Sequence, residues 1–428
     1  MNQLDFEKKG IPTVTIATTE FINLAKQTAL GYGVADMAFV VVPHPIGSIN
    51  REDVRKKADD SFPEILKMVT EWKPATNPPP LRPLYPAETF KFKGDIMDIQ
   101  EMFFKKGWSA GLPIVPPTAE RVKEMLRGTS HSPDELICQA PPRMGAITVE
   151  LVAVYAVMAG CKPEYMPVLL AVLDAMREKK FDWREAAVTT GSIGPMIMIN
   201  GPIIKELDIA YNQAAASWGH HPNLSIGYAI GLLWYVAGGA KPPIWDKSTF
   251  GSPTDLVVWV FAENEDANPW EPYHVEMGYK KSENVVTVRN VYPTIDIPDH
   301  NSKTAEQHLK WWVNSISPMI GKPYCLPTEE CFLVLNPEWS KKLAEEGWTK
   351  DKIRKYVWEN CRRPFSAWPP GACYPKKEFE LLTTNTQIPL TLKPEQLRIV
   401  VSGGAGKHNQ YFIGAKGKTV TKPIDPWR

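Results

Sequence analysis

Residues 263–274 place four carboxylates and a histidine within one short run: Glu263, Glu265, Asp266, Glu271 and His274. Carboxylates at this density bind a cation or supply an acid/base pair, and an imidazole adds a group that titrates near neutral pH. Their spacing fits no metal motif, so no metal is assigned. Pro269 and Pro272 make the run a fixed loop. His44, held between Pro43 and Pro45, is a second acid/base or anion-contact candidate. Thr189, Thr190 and Asn200 flank a short apolar run, where hydroxyls and backbone amides suit a carboxylate or phosphate oxygen. The stretch Ser402-Gly403-Gly404-Ala405-Gly406-Lys407-His408 offers exposed amides and a lysine to an anion, with Gly404 and Lys407 as binding groups and His408 as an acid/base group. It is not GxGxxG and no helical pattern follows, so a dinucleotide fingerprint is not supported. His220 and His221 are read as loop residues before Pro222, one of them reaching a site. Each candidate has a plainer reading as turn chemistry or local hydrogen bonding.

These groups must be positioned by strands and helices. Residues 11–17 read as a strand rich in β-branched residues, with a helix to about residue 30. Residues 38–42 read as a fully apolar strand, and Asn50 starts a charged helix. Continuous apolar strands separated by helices predict a parallel sheet covered on both faces. Thr118 caps a helix to about Leu126, and helices follow at about 146–159 and 164–178. Residues 187–190 read as a short strand, 196–199 as a buried strand, 225–236 as a helix and 257–262 as a strand. Further strands are expected at 331–335 and 397–401, with Asn336 capping one helix and Thr349 opening another. Loops at the carboxyl ends of such strands are where ligands bind, which is where most candidates fall.

The expected fold class is α/β, with Rossmann-like parallel-sheet segments at both ends around a larger mixed α/β middle domain. The boundaries are 1–74 for the N-terminal segment, 75–92 for a proline-rich linker, 93–290 for the middle domain, 291–319 for a connection and 320–428 for the C-terminal segment. No short tandem repeat is visible. The chain has 428 residues, of which 43% are hydrophobic, enough to bury a core despite 40 prolines. A net charge of +1 gives no basic surplus for a phosphate backbone, so nucleic acid is not an expected partner. Residues 147–160 and 224–240 are too short to span a membrane, and a soluble, cytoplasmic protein is expected. The six cysteines, at 138, 161, 325, 331, 361 and 373, show no CxxC spacing and are read as ordinary reduced thiols.

Residues 10–14 (GIPTV) and the Pro43-His44-Pro45 turn with its following helix resemble the UGSC family of (seleno)proteins. So do residues 111–118 (GLPIVPPT), 141–146 (PPRMGA), 262–265 with 269–272, 347–350 and 403–408, so that the similarity extends over nearly the whole chain. The N-terminal portion is also similar to the selenocysteine-bearing subunits of glycine and proline reductases. In that family a redox motif, selenocysteine or cysteine followed by Gly-Ser-Cys, precedes the first strand. Residues 1–9 hold no cysteine. The resemblance therefore implies that a separate small subunit supplies the motif, or that the chemistry does not use it.

The leading expectation is a subunit of a heteromeric, oligomeric enzyme acting on a small polar, anionic metabolite. The reaction would be redox or C–S/C–N bond cleavage, with the thiol or selenol on the small subunit. Two alternatives stand beside it: a non-redox lyase or hydratase using the histidine and carboxylate loops, and a non-catalytic scaffold subunit. No cofactor is assigned.

Overall fold

The structure is a computed structural model describing Phe6 and residues 11–31, 37–47, 49–72, 85–251, 257–321, 327–369 and 382–428. Residues 75–84 of the expected linker lie outside these, and 85–92 contain neither helix nor strand.

The first unit is β-α-β-α, as the sequence predicts. β1 (Thr15–Thr18) and β2 (Phe39–Val42) pair in parallel, and the helix Ile22–Gly31 joins them. Helix Arg51–Glu71 begins at Asn50, whose Oδ1 accepts the Asp53 N–H at 2.8 Å. Among the described residues these two strands form a sheet of their own. Ile16 and Val41 stay exposed, so the cover on both faces that the apolar run of β2 predicts is incomplete here.

The middle region opens with helices Ile96–Lys105 and Ala119–Met125, the second capped by Thr118, followed by β3 (Leu136–Ala140) paired antiparallel to β4 (Gly145–Thr148). Helices Val149–Met158 and Met166–Met176 follow, close to their expected bounds, with Gly160 at φ +75 between them. Two expectations need correction. Residues 187–190 are not a strand: Ala187 and Val188 end the helix Trp183–Val188. A four-residue run carries too little period to separate helix from strand, and here the preceding turn extends through it. His221 is not a loop residue but the first residue of helix His221–Leu232; Pro222 sits in its first turn, where a missing N–H costs nothing.

The remaining strands build two four-stranded sheets. They are β5 (Gly194–Asn200), β6 (Trp259–Ala262), β7 (Val285–Val291), β8 (Ile295–Pro298), β9 (Cys331–Leu335), a small antiparallel pair β10 (Arg362–Pro364) and β11 (Gln387–Pro389), β12 (Leu397–Val401), β13 (His408–Phe412) and β14 (Val420–Pro423). The orders are β14-β7-β5-β6 and β12-β9-β13-β8. Residues 291–319, expected as a connection, hold β8 and the helix Ala305–Ile316, which is part of the second core.

The two sheets stack face to face between helical layers. Side chains alternate across each strand with period two. Ile197, Ile199, Val260 and Ala262 face a core shared with helices 149–158, 166–176 and 221–232. Met196, Met198 and Phe261 face the other sheet, meeting Phe332, Val334, Val400 and Phe412. Leu333, Leu335 and Ile399 face the helices Ala305–Ile316 and Lys350–Asn360 on the far side. The continuous apolar strands are thus covered on both faces, but by helices on one and by the partner sheet on the other. The fold is mixed α/β, with parallel pairs β1/β2, β5/β6 and β9/β12 and no barrel.

The two sheets are copies of one another. One row across the first reads Phe261, Met198, Thr287, Thr421; the matching row across the second reads Val400, Val334, Gln410, Asp296. Each runs parallel, antiparallel, antiparallel. The fourth strand is exchanged: β8 follows β7 in the chain yet completes the second sheet, and β14 follows β13 yet completes the first. β7 and β13 cross at a bridge between Val291 and Gly414, matching positions of the two copies. The bond from Tyr292 N–H to the Ile413 carbonyl (2.9 Å) is mirrored by Ala415 N–H to the Asn290 carbonyl (2.9 Å). A pseudo-two-fold axis passes through this crossing.

At the crossing the backbones are too close for a side chain. A Cβ on Gly414 would lie 1.6 Å from the Glu330 carbonyl oxygen. The buried guanidinium of Arg289 holds the same place, donating to the Ala415 and Lys416 carbonyls, and burial lowers its pKa to about 10. Gly414→Ala is therefore expected to destabilise the protein by about 2–3 kcal/mol through overpacking. Urea unfolding monitored by circular dichroism measures it; a change within about 0.5 kcal/mol would contradict the packing described.

Candidate functional site

The carboxyl ends of the two parallel pairs meet at the axis. Glu263 N–H donates to the Ile199 carbonyl and Ser402 N–H to the Leu335 carbonyl, each at 3.1 Å, so the chain leaves β6 and β12 in the same way. The two exits are tied together: Asn264 N–H donates to the Val401 carbonyl (2.7 Å), Ser402 Oγ–H to the Ala262 carbonyl (2.7 Å) and Asn264 Nδ2 to the Gly403 carbonyl (3.2 Å). A cleft opens on either side of this seam.

The first cleft, about 280 Å³, is lined by Lys205, Tyr211, Glu263, Glu265, Asp266 and Lys281 among others. Asn200, at the end of β5, organises it. Its Nδ2 donates to Glu263 Oε2 (2.6 Å) and to Glu265 Oε1 (3.1 Å), so one amide bridges both carboxylates. Glu263 is fully buried and accepts two more bonds, from Tyr273 N–H (2.7 Å) and Asn268 Nδ2 (2.9 Å). Burial pushes its carboxyl up to about 7, against the pull of Lys350, the Tyr273 amide and Asn200. Glu265 Oε1 also accepts the Gly201 N–H at 2.7 Å, while Oε2 has no hydrogen-bond partner among the described residues. Behind it lies the buried His274, its Nδ1 3.8 Å from Glu265 Oε1. Burial lowers the pKa of His274, and the Glu265 charge opposes this. Among the described residues neither ring nitrogen of His274 makes a well-formed hydrogen bond, though the Lys280 and Lys281 backbone lies close enough to favour its charged form, and Asn200 Oδ1 is unpartnered. Asp266 is held to Lys205 at 2.9 Å, whereas Lys281 makes no ion pair among the described residues. The arrangement can hold an anionic group on Lys281 and move a proton at Glu265 Oε2.

The second cleft, about 450 Å³, lies at the carboxyl ends of β9 and β12 and takes in Gly404 and His408. His408 Nδ1 is 2.8 Å from Asp296 Oδ2. Lys407, at φ +59, offers its carbonyl to Asp299 N–H and is not part of the lining. A Cβ on Gly404 would come within 2.0 Å of the Gln213 side-chain oxygen and 3.0 Å of the Gln213 Cα, so this loop packs closely on residue 213.

The other candidates lie elsewhere. Thr189 Oγ1 accepts the Gly191 N–H (3.1 Å), which is turn chemistry, and the Thr190 carbonyl accepts the Thr249 N–H (3.0 Å), a tertiary loop-to-loop bond; neither residue lines the two clefts. His44 is exposed in the first unit, its Nδ1 3.1 Å from Thr18 Oγ1, and the Lys57 ammonium ties the Pro43 and Pro45 carbonyls beside it. His221 Nδ1 is 3.4 Å from the Tyr165 hydroxyl, and neither His220 nor His221 lines the two clefts. Cys138, Cys331 and Cys361 are buried and Cys161 half-buried; burial pushes each thiol up to about 12. Cys325 and Cys373 lie outside the described residues. Among the described residues no group of three His, Cys, Asp or Glu side chains has metal-ligand geometry, and no helix is long and apolar enough to cross a membrane.

Sequence reasoning missed Lys205, Tyr211 and Lys281 at the first cleft, which only tertiary packing brings to 263–265, and the role of Asn268, which lies within the 263–274 run and holds Glu263. One signal was present: Asn200 and Asn336 each end an apolar strand and have a proline within two residues, which marks the matching positions of the two copies.

The model of the UGSC family matches residues 2–71, the β-α-β-α unit, and the match ends before the two sheets. No curated protein and no solved structure is similar to the chain.

Glu263 makes stability pH-dependent. The folded state holds this proton more tightly than the unfolded chain, whose carboxylates titrate near 4.3. Its contribution is therefore greatest below that range and is lost as pH rises through about 7, by an amount on the order of 3 kcal/mol. Glu263→Gln is expected to flatten the fall of stability across about pH 5 to 8 in urea titrations, at the cost of about 1–3 kcal/mol for the donors left facing its amide. A slope equal to that of the unsubstituted protein would refute the assignment.

Proposed function

We propose that the chain is the substrate-binding and acid–base part of an enzyme acting on a small anionic metabolite, in a lyase- or hydratase-type reaction at the first cleft. The observation that carries this is Glu265: Asn200 and the Gly201 amide fix one oxygen and leave Oε2 open in a polar cleft. A carboxylate locked in place can take a proton from a bound molecule without reorganising. His274 lies behind it, buried beside Glu265 and the Lys280 and Lys281 backbone. Glu263 anchors the loop, being saturated by three donors. Lys281 holds the acidic group of the metabolite.

A second reading is favoured by the UGSC match over residues 2–71. In it the same cleft presents substrate to a thiol or selenol on a separate small subunit, in a redox or C–S/C–N cleavage. The four described cysteines suit this division of labour, since none is near ionisation at neutral pH.

Solvent exchange separates the two. The native assembly, incubated with a small-acid extract in D₂O, is expected to place deuterium on carbon in one metabolite by mass spectrometry. Glu265→Gln is expected to slow that exchange about 10²-fold or more, while thiol alkylation leaves it intact. Loss of turnover on alkylation, with Glu265→Gln fully active, would replace the first reading by the second.

A further inference from the structure

The second cleft is the pseudo-equivalent of the first, yet its chemistry differs. The positions of Glu263 and Glu265 are taken by Ser402 and Gly404, so the acidic pair is gone. Aromatic rings form the floor instead. Phe412 stacks on Phe261 with centroids 5.9 Å apart, and Trp259 meets Phe412 edge-on at 5.5 Å. Trp259 keeps part of its surface open in the cleft. Flat apolar surface of this kind selects a planar ring.

The rim carries donors. In the glycine loop Gly403 N–H donates to the Tyr211 carbonyl, but the amides of Gly404 and Ala405 have no partner among the described residues. The next amide, Gly406 N–H, already holds a carboxylate, donating to Glu338 Oε2 at 2.8 Å. His408 is oriented through Nδ1 by Asp296, which leaves Nε2 unpaired. Gln410, also in the lining, is occupied by Thr294 and Asp296.

The opposite wall is the loop 213–217, and the residue that follows it, Trp218, is 86% exposed. A tryptophan standing in water beside a cleft floored with aromatic rings has a large apolar face still to bury. Its loop is otherwise small, with Ala214 at φ +55 and Gly219 at φ +96 on either side.

We propose that this cleft binds a planar aromatic carboxylate, its ring on Trp259 and Phe412, its carboxylate on the Gly404 and Ala405 amides and His408, and that Trp218 closes over the outer face of the ring. The volume suits a ligand of one or two fused rings. This site is separate from the carboxylate cleft, and it stands whether or not the acid–base reading of that cleft does.

Isothermal titration of the full chain tests it, with 2-naphthoate as probe. The controls are the saturated, non-planar decahydro-2-naphthoate and the cationic 2-naphthylmethylammonium. Saturable binding of 2-naphthoate is expected, at least about tenfold tighter than either control. Trp218→Ala should weaken it about tenfold, Trp218→Phe should restore most of the loss, and Ala405→Trp should abolish it by filling the rim. Positions 218 and 405 are exposed, so both variants should unfold at the temperature of the unsubstituted protein. Glu265→Gln should bind 2-naphthoate normally. Absence of saturable binding, equal affinity for a control, unchanged binding by the Ala405→Trp or Trp218→Ala variant, or loss of binding in Glu265→Gln would overturn the proposal.

Discussion

Everything beyond residue 190 depends on the exchange of two edge strands. β8 leaves the first sheet to complete the second, and β14 leaves the second to complete the first. Without a fourth strand, β7 and β13 would be edges with a row of unpaired backbone groups. The exchange pairs those groups and at the same time fastens the halves together. It also brings β7 and β13 to a crossing at Val291 and Gly414, so tight at residue 414 that a Cβ there would meet the Glu330 carbonyl, while the buried Arg289 guanidinium holds the Ala415 and Lys416 carbonyls beside it.

The positions of the two clefts follow from that symmetry. Strands related by the axis leave the sheets at the same level, so the exits of β6 and β12 touch and hold each other through Asn264 and Ser402. A duplicated frame leaves one binding position per copy, each free to diverge. One copy carries carboxylates around Asn200; the other carries glycines, a histidine and aromatic rings. The loop 263–274 is rigid because Glu263 binds three donors from separate points along the chain, and Glu265 inherits its orientation from that anchor.

The first 71 residues stand apart in style. They are matched by the UGSC family and form a parallel pair with its own two helices. His44 sits at its strand end, with the Lys57 ammonium fixing the turn, while the two clefts are built wholly from residues beyond 200. The grouping of His44 with the 263–274 run rested on a shared residue type, and strand topology separates them.

Local chemistry was legible in the chain: Thr118 and Asn336 cap the helices they were expected to cap, helices start at 51 and 350 within the runs expected to open them, and the apolar runs at 196–199, 331–335 and 397–401 are buried strands. Such features depend on a residue and its near neighbours, through one side-chain bond or a period of two. The gathering of Glu263, Glu265 and His274 was also within reach, because they are close in sequence. What no local pattern carries is which face of a buried strand meets a helix and which meets another sheet, since both demand the same apolar side chains. Nor does any local pattern announce that β8 and β14 change places, because a strand pairs through its backbone and the backbone is the same at every residue. The duplication, the seam and the division of the candidates between two clefts are therefore products of the tertiary structure alone.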